Sequence, residues 1–182
     1  MTKQEQRKTV LAARQAMTPK ARAAASAVIC AHLLEMPELR QAEVVFSYRA
    51  LPDEVDLTAL HTLLSEKGVR LLFPVSLPHG RMEAWEPGGW KQGAYGIWEP
   101  DRESGRRADP EEIDLVLVPC VAFDAAKRRL GHGAGYYDRY LPSCPGAVKV
   151  LTAFEAQRLE RVVCDEYDQK MDLVVTEQGV FR

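Results

Sequence analysis

The longest apolar run in the chain, Leu115 to Phe123 within IDLVLVPCVAF, is nine residues long and contains a proline. A membrane span needs about 20 residues, so the run is expected inside a soluble globular fold. Near-continuous apolar sequence of this length suits a central strand covered on both faces, with Pro119 ending its ladder or marking a bulge. Directly after it comes RRLGHGAGYYD, Arg128 to Asp138, with glycines at alternate positions 131, 133 and 135. A buried strand that ends in a glycine-rich turn constrains the chain to an α/β arrangement with a loop beyond the carboxyl end of that strand. Ligands collect there in open α/β sheets.

The flanking sequence agrees. Thr2 to Met17 reads as a helix opened by a capping box of Thr2 and Glu5, and Thr18-Pro19 starts a second helix through about Met36. Glu43 to Tyr48 is a strand, Asp56 to Lys67 a helix with Leu57, Leu60, Leu63 and Leu64 inside, and Val69 to Val75 a second strand. Strand, helix, strand predicts a parallel crossover. A helix from Gly135 to Leu141, a strand from Ala147 to Ala153, a helix from Glu155 to Val163 and a strand from Leu173 to Thr176 follow. Glu86 to Pro110, rich in Gly, Pro, Trp and charge, is expected to be a long loop. The whole predicts one α/β domain over residues 1–182, three layers (α/β/α) around a mostly parallel sheet.

Lys and Arg total 24 against 26 Asp and Glu, a net charge of -2. Such a chain has no field to gather nucleic acid or anionic membrane, so neither is an expected partner and any anion site must be local. Cys30, Cys120, Cys144 and Cys164 form no C-x-x-C pair, which points away from a disulfide framework or zinc site and towards small buried hydrophobes. The charged N-terminus lacks an apolar signal core, and the expected location is the cytoplasm.

Glycines at alternate positions let the backbone approach an anion and turn its N–H groups inward. The pattern is neither a Walker sequence nor G-x-G-x-x-G, and on spacing alone a turn and a phosphate loop stand level. The flanks favour phosphate. Arg129 can pair bidentately with phosphate oxygens, and Asp138 is placed to hold a hydrated Mg²⁺ against them. Lys3 and Arg7, one helical turn apart, share a face that is either simply solvated or a pair of phosphate ligands.

Two segments together, Val118-Pro119-Cys120-Val121-Ala122-Phe123-Asp124 and Arg129 to Asp138, resemble the signature of the 5-formyltetrahydrofolate cyclo-ligase family, also called methenyltetrahydrofolate synthetases. Asp53-Glu54-Val55-Asp56, Phe73-Pro74, Gly93 to Pro100, Ala153-Phe154 with Gln157, and Asp168 extend the resemblance along nearly the full chain. It implies a fold of the sugar-isomerase and CoA-transferase type. It also implies ATP- and Mg²⁺-dependent conversion of 5-formyltetrahydrofolate, with or without a polyglutamate tail, to 5,10-methenyltetrahydrofolate, through a phosphorylated formyl group. Carried over by position, the ATP contacts are Lys3, Arg7, Arg129, Leu130, Gly131, His132, Gly133, Ala134, Gly135, Tyr136 and Tyr137, with Arg129 also catalytic. The folate contacts are Glu54, Tyr95, His132 and Tyr136, with Trp98 as a further cover, and the magnesium carboxylates are Asp138 and Asp168. The expected form is a monomer.

Cys120 stands where the family usually has glycine, Ala134 where glycine or lysine is common, and Val75 where some members carry arginine. The alternative that these departures suggest is a non-catalytic regulator that keeps the pocket without turnover. A phosphosugar isomerase on the same fold would leave Lys3, Arg7 and the two aspartates without a role.

Overall fold

The computed structural model describes residues 1–93 and 96–182. Its first element, helix α1 (Lys3–Ala16), opens on the expected capping box: the Thr2 hydroxyl accepts from the Glu5 N–H, and the Glu5 carboxylate accepts from the Thr2 N–H. Helix α2 (Pro19–Glu35) starts from Thr18 with proline at its first position, where no intrahelical N–H is lost. Then come α3 (Pro37–Gln41), strand β1 (Val44–Phe46), α4 (Thr58–Glu66), β2 (Arg70–Leu77), β3 (Arg81–Glu86), β4 (Trp90–Gln92), β5 (Trp98–Pro100) and β6 (Arg106–Arg107). The chain continues through β7 (Leu115–Pro119), β8 (Ala122–Phe123), β9 (Arg129–Leu130), α5 (Tyr136–Tyr140), β10 (Val148–Thr152), β11 (Leu173–Thr176) and β12 (Gly179–Phe181). Among the described residues, no helix is long and apolar enough to cross a membrane.

The main sheet runs β12-β11-β10-β7-β1-β2-β3-β6. Its five central strands are mutually parallel, and the outer pairings to β12, β3 and β6 are antiparallel. β7 is central, as its composition requires. Leu115 and Leu117 face one apolar cluster with Ile29 and Leu33 of α2 and Leu60 and Leu64 of α4. Val116 and Val118 face the other with Phe46, Tyr140 and Leu141. Pro119 ends the strand, where its missing N–H costs no ladder bond. The fold is thus mixed α/β with a mostly parallel sheet, thickly covered by helices on one face and by α5 and its following turn on the other.

Two expectations need correction. Glu155 to Val163 is not a helix: a single 3₁₀ turn, Glu155–Gln157, is followed by irregular chain that bridges to Phe123 at Arg158. The backbone N–H groups that would continue a helix are taken elsewhere, Val162 N–H by the Asp124 carboxylate and Val163 N–H by the Gln6 side chain. Gln157 is drawn inward to donate to the Cys120 and Val121 carbonyls. Glu86 to Pro110 is not structureless either, since β4 pairs with β5 and β6 adds to β3. Cross-strand pairing between distant residues supplied order that local composition could not show. Cys30, Cys120 and Cys144 are buried as expected, whereas Cys164 is exposed.

Helix α1 lies off the sheet, packing Val10 against Val121, Ala122 and Leu130 of the β8–β9 hairpin. Asp124, almost fully buried, holds that hairpin by accepting from Ala126 N–H, Arg128 N–H and the Arg128 side chain. This Asp is therefore a structural clamp. It fixes the strand that presents Arg129 and leads into the glycine loop.

Candidate active site

Gly131 to Gly135 connects β9 to α5. Gly133 sits at φ 111° and Gly135, which precedes α5, at φ 73°. A side chain would strain the backbone at either position. Among the described residues, only His79 and Lys127 have positive φ without being glycine, so Ala134 occupies its place without strain.

Three cations line the cleft that holds this loop. The Arg7 Nε donates to the Gly131 carbonyl at 2.8 Å, and its guanidinium lies 3.6 Å from the point where a Gly133 Cβ would sit. Lys3 donates to Asp168 at 2.5 Å and to Asp165 at 2.8 Å. Partial burial draws the Lys3 ammonium down, but those two hydrogen bonds and the charges of the same two carboxylates together outweigh it and leave its pKa above the ordinary lysine value. Arg129, 5% exposed, donates to the Pro119 carbonyl at 3.2 Å and to Asp138 at 3.0 Å, with its guanidinium 5.5 Å from the Tyr137 ring centre. Its buried Nε has no partner, and a buried donor left unpaired is costly enough to mark a site for an incoming acceptor.

Glu54, 8% exposed, adjoins the loop at His132. One carboxylate oxygen accepts from the Leu51 N–H at 2.9 Å, and the other lies 3.2 Å from the His132 Nε2. Tyr48 closes the floor, bonding Thr152 at 2.8 Å and Val55 at 3.2 Å. Burial pushes the Cys120 thiol up to about 12, so it is protonated at neutral pH and inert as a nucleophile. One cleft of about 1230 Å³ joins the glycine loop, Lys3, Arg7, Arg129 and Glu54. Tyr136, Tyr137, Asp138 and Asp168 also line it. The volume exceeds that of an ordinary small-molecule pocket and suits two ligands side by side.

A sequence model described as the 5-formyltetrahydrofolate cyclo-ligase family matches residues 1–177. The chain belongs to that family. A Schizosaccharomyces pombe protein named "Probable 5-formyltetrahydrofolate cyclo-ligase" is 31% identical over 172 residues, covering 85% of this chain and 84% of its own. The Haemophilus influenzae 5-formyltetrahydrofolate cyclo-ligase is 29% identical over 144 residues, covering 75% and 77%. The NMR structure of Aquifex aeolicus 5,10-methenyltetrahydrofolate synthetase superposes with a TM-score of 0.88 at 36% identity, covering 100% of this chain and 93% of that one. The protein is accordingly an enzyme of the cyclo-ligase family, and the resemblance read from Val118 to Asp138 holds along the chain.

Within this cyclo-ligase fold, the cations and glycines singled out from sequence converge. Tyr95 lies outside the described residues. Trp98 is 50% exposed on the β4–β5 hairpin and does not line the cleft, whereas its neighbour Ile97 does. Besides Tyr48 and Asp165, three further participants were missed. Arg14 of α1 is buried behind Glu54; Arg139 donates to the Ala134 and Gly80 carbonyls, tying the loop to the β2–β3 turn; Gln169 donates its backbone N–H to Asp138. Only Arg14 had a readable signal, since positions 3, 7 and 14 share one helical face.

Among the described residues, no three His, Cys, Asp or Glu side chains group as a metal cage. Mg²⁺ does not require one: it retains waters and binds through one or two carboxylates plus phosphate oxygens. Asp138 and Asp168, lining the cleft beside Arg129 and Lys3, fit that pattern of donors.

Proposed function

We propose that the protein converts 5-formyltetrahydrofolate to 5,10-methenyltetrahydrofolate, with ATP consumed to ADP and phosphate. The observation that supports this reading is the meeting, in one cleft, of three cations and a glycine loop with a buried carboxylate that faces His132 of that loop. The cations and the loop suit a triphosphate, and the carboxylate suits the N–H donors of a pterin.

An N5-formyl group is an amide, a poor electrophile whose oxygen leaves badly. In the proposed reaction the formyl oxygen attacks the γ-phosphorus of ATP, the bond from that phosphorus to the bridging oxygen breaks, and ADP departs. N10 then adds to the activated carbon and loses its proton, and phosphate leaves with the former formyl oxygen. The N5–CH–N10 bridge remains.

The chain's part is positioning and charge neutralisation. Arg129, aimed by Pro119 and Asp138, meets charge on the transferring phosphoryl group. Arg7 and Lys3 hold the remaining phosphate oxygens, and the Gly131 to Gly135 backbone comes close enough to donate to them. Glu54 accepts from the pterin, while Tyr136 and Tyr137 give it an aromatic wall. Asp138 and Asp168 would hold Mg²⁺, which when bound offsets phosphate charge.

The test is near-ultraviolet absorbance of purified protein mixed with 5-formyltetrahydrofolate and Mg²⁺, with and without ATP. ATP-dependent appearance of the methenyl product is expected. Bound ATP and folate with no product and no ADP would replace this reading with that of a non-catalytic regulator.

A further inference from the structure

Lys3, Arg7 and Arg14 fall within about 40° of one another around α1, and the first and last are about 16 Å apart along it. Arg7 meets the glycine loop and Lys3 lines the same cleft, while Arg14, buried, lies behind Glu54. There its Nε and Nη2 both donate to one oxygen of Asp53, at 3.1 and 2.9 Å. The remaining Nη1 donates to the Cys120 carbonyl at 3.3 Å and lies 3.9 Å from the Glu54 carboxylate.

We propose that Arg14 is the positioning residue for Glu54, fixing the direction in which that carboxylate meets the folate. The proposal rests on the reading of Glu54 as the pterin acceptor. Arg14 is 1% exposed, and burying a guanidinium is costly without close partners. An apolar side chain of similar volume would serve stability as well. What the guanidinium adds is geometry, since its rigid planar fork, once held by Asp53, sets where Nη1 points.

Glu54 is consequently gripped from two sides. The Leu51 N–H holds one oxygen, and the Arg14 cation lies behind the other, which faces His132. A carboxylate free to rotate would lose directional recognition of ring N–H groups; a clamped one keeps it. The same helix therefore supplies two cations to the cleft and the cation behind Glu54.

The test is a double-mutant cycle of Arg14→Met and Glu54→Gln, with Arg14→Lys alongside, reading KM for each substrate and kcat. Arg14→Met should raise the KM for 5-formyltetrahydrofolate by about tenfold to a hundredfold, the size of leaving one partner of a buried charge pair unsatisfied, and leave the KM for ATP unchanged. Arg14→Lys should recover part of the loss. In the Glu54→Gln background, Arg14→Met should add little further. Equal rises in both KM values, a fall in kcat alone, or multiplying effects of the two substitutions would overturn the proposal. Should Arg14→Met not fold by circular dichroism, Arg14→Lys with Glu54→Gln completes the same cycle. If Glu54→Gln leaves the folate KM unchanged, the reading of Glu54 and this inference fall together. If it raises that KM and the Arg14 variants do not, this inference alone falls.

Discussion

The Nε of Arg7 donates a 2.8 Å hydrogen bond to the carbonyl of Gly131, 124 residues further along the chain. A half-buried cation of the first helix is thereby fixed against the glycine loop. Two neighbouring ion pairs, Lys3 with Asp168 and Arg129 with Asp138, give the same region cations and carboxylates in alternation.

Arg129 should be the most sensitive cation. Its substitution by alanine is expected to lower kcat by about 10² to 10³, the usual effect of removing a preorganised transition-state donor. Single-turnover absorbance measurements check this, and a wild-type rate would remove Arg129 from the mechanism.

Gly133 should not tolerate a side chain. At φ 111°, Gly133→Ala meets backbone strain of about 1–3 kcal/mol, enough to raise the KM for ATP by about tenfold if the loop shifts to relieve it. Ala134→Gly should leave that KM nearly unchanged, because Ala134 needs no left-handed backbone. Equal effects at both positions would show that loop geometry does not govern nucleotide binding.

Chelation should stop turnover and added Mg²⁺ restore it. Asp138→Asn and Asp168→Asn should each shift the Mg²⁺ titration to higher concentration, and Asp138→Asn should also lower kcat because it loosens Arg129. Undiminished turnover in excess chelator would contradict the role given to both carboxylates.

His61 should make the fold acid-sensitive. Burial, aided by the nearby positive charge of Arg49, lowers its pKa from 6.5 to about 4. Between those values the unfolded chain takes up a proton that the folded chain refuses, so stability falls as pH drops from 6.5 towards 4 and is flat above. The contribution is at most about 3 kcal/mol. Urea midpoints at pH 5 and pH 7.5 should differ less in His61→Gln than in the wild type; an unchanged difference would place the acid sensitivity elsewhere.

Much of the fold was legible because burial on both sheet faces leaves a continuous apolar run. Leu115 to Pro119 could only be central, and the capping residues Thr2 and Thr18 marked where α1 and α2 begin. Glu155 to Val163 misled because its helical pattern is local, whereas the acceptors that take its N–H groups, Asp124 and Gln6, lie far away in sequence. β4 and β5 were missed for the same reason: each is three residues long and exists by pairing.

For the candidate site, the sequence by itself determined the chemical inventory: the glycine loop, Arg129 and Asp138 within ten residues, and two cations one helical turn apart at the N-terminus. Residue type and short spacing suffice for that, because they set local backbone freedom and charge. Only the tertiary structure decided which groups meet. It placed Arg7 on Gly131, Lys3 on Asp168 and His132 opposite Glu54, and it buried Arg14 behind that carboxylate. Those contacts form when the apolar side of α1 packs on the β8–β9 hairpin, and the burial that drives such packing depends on residues brought together only by the folded chain.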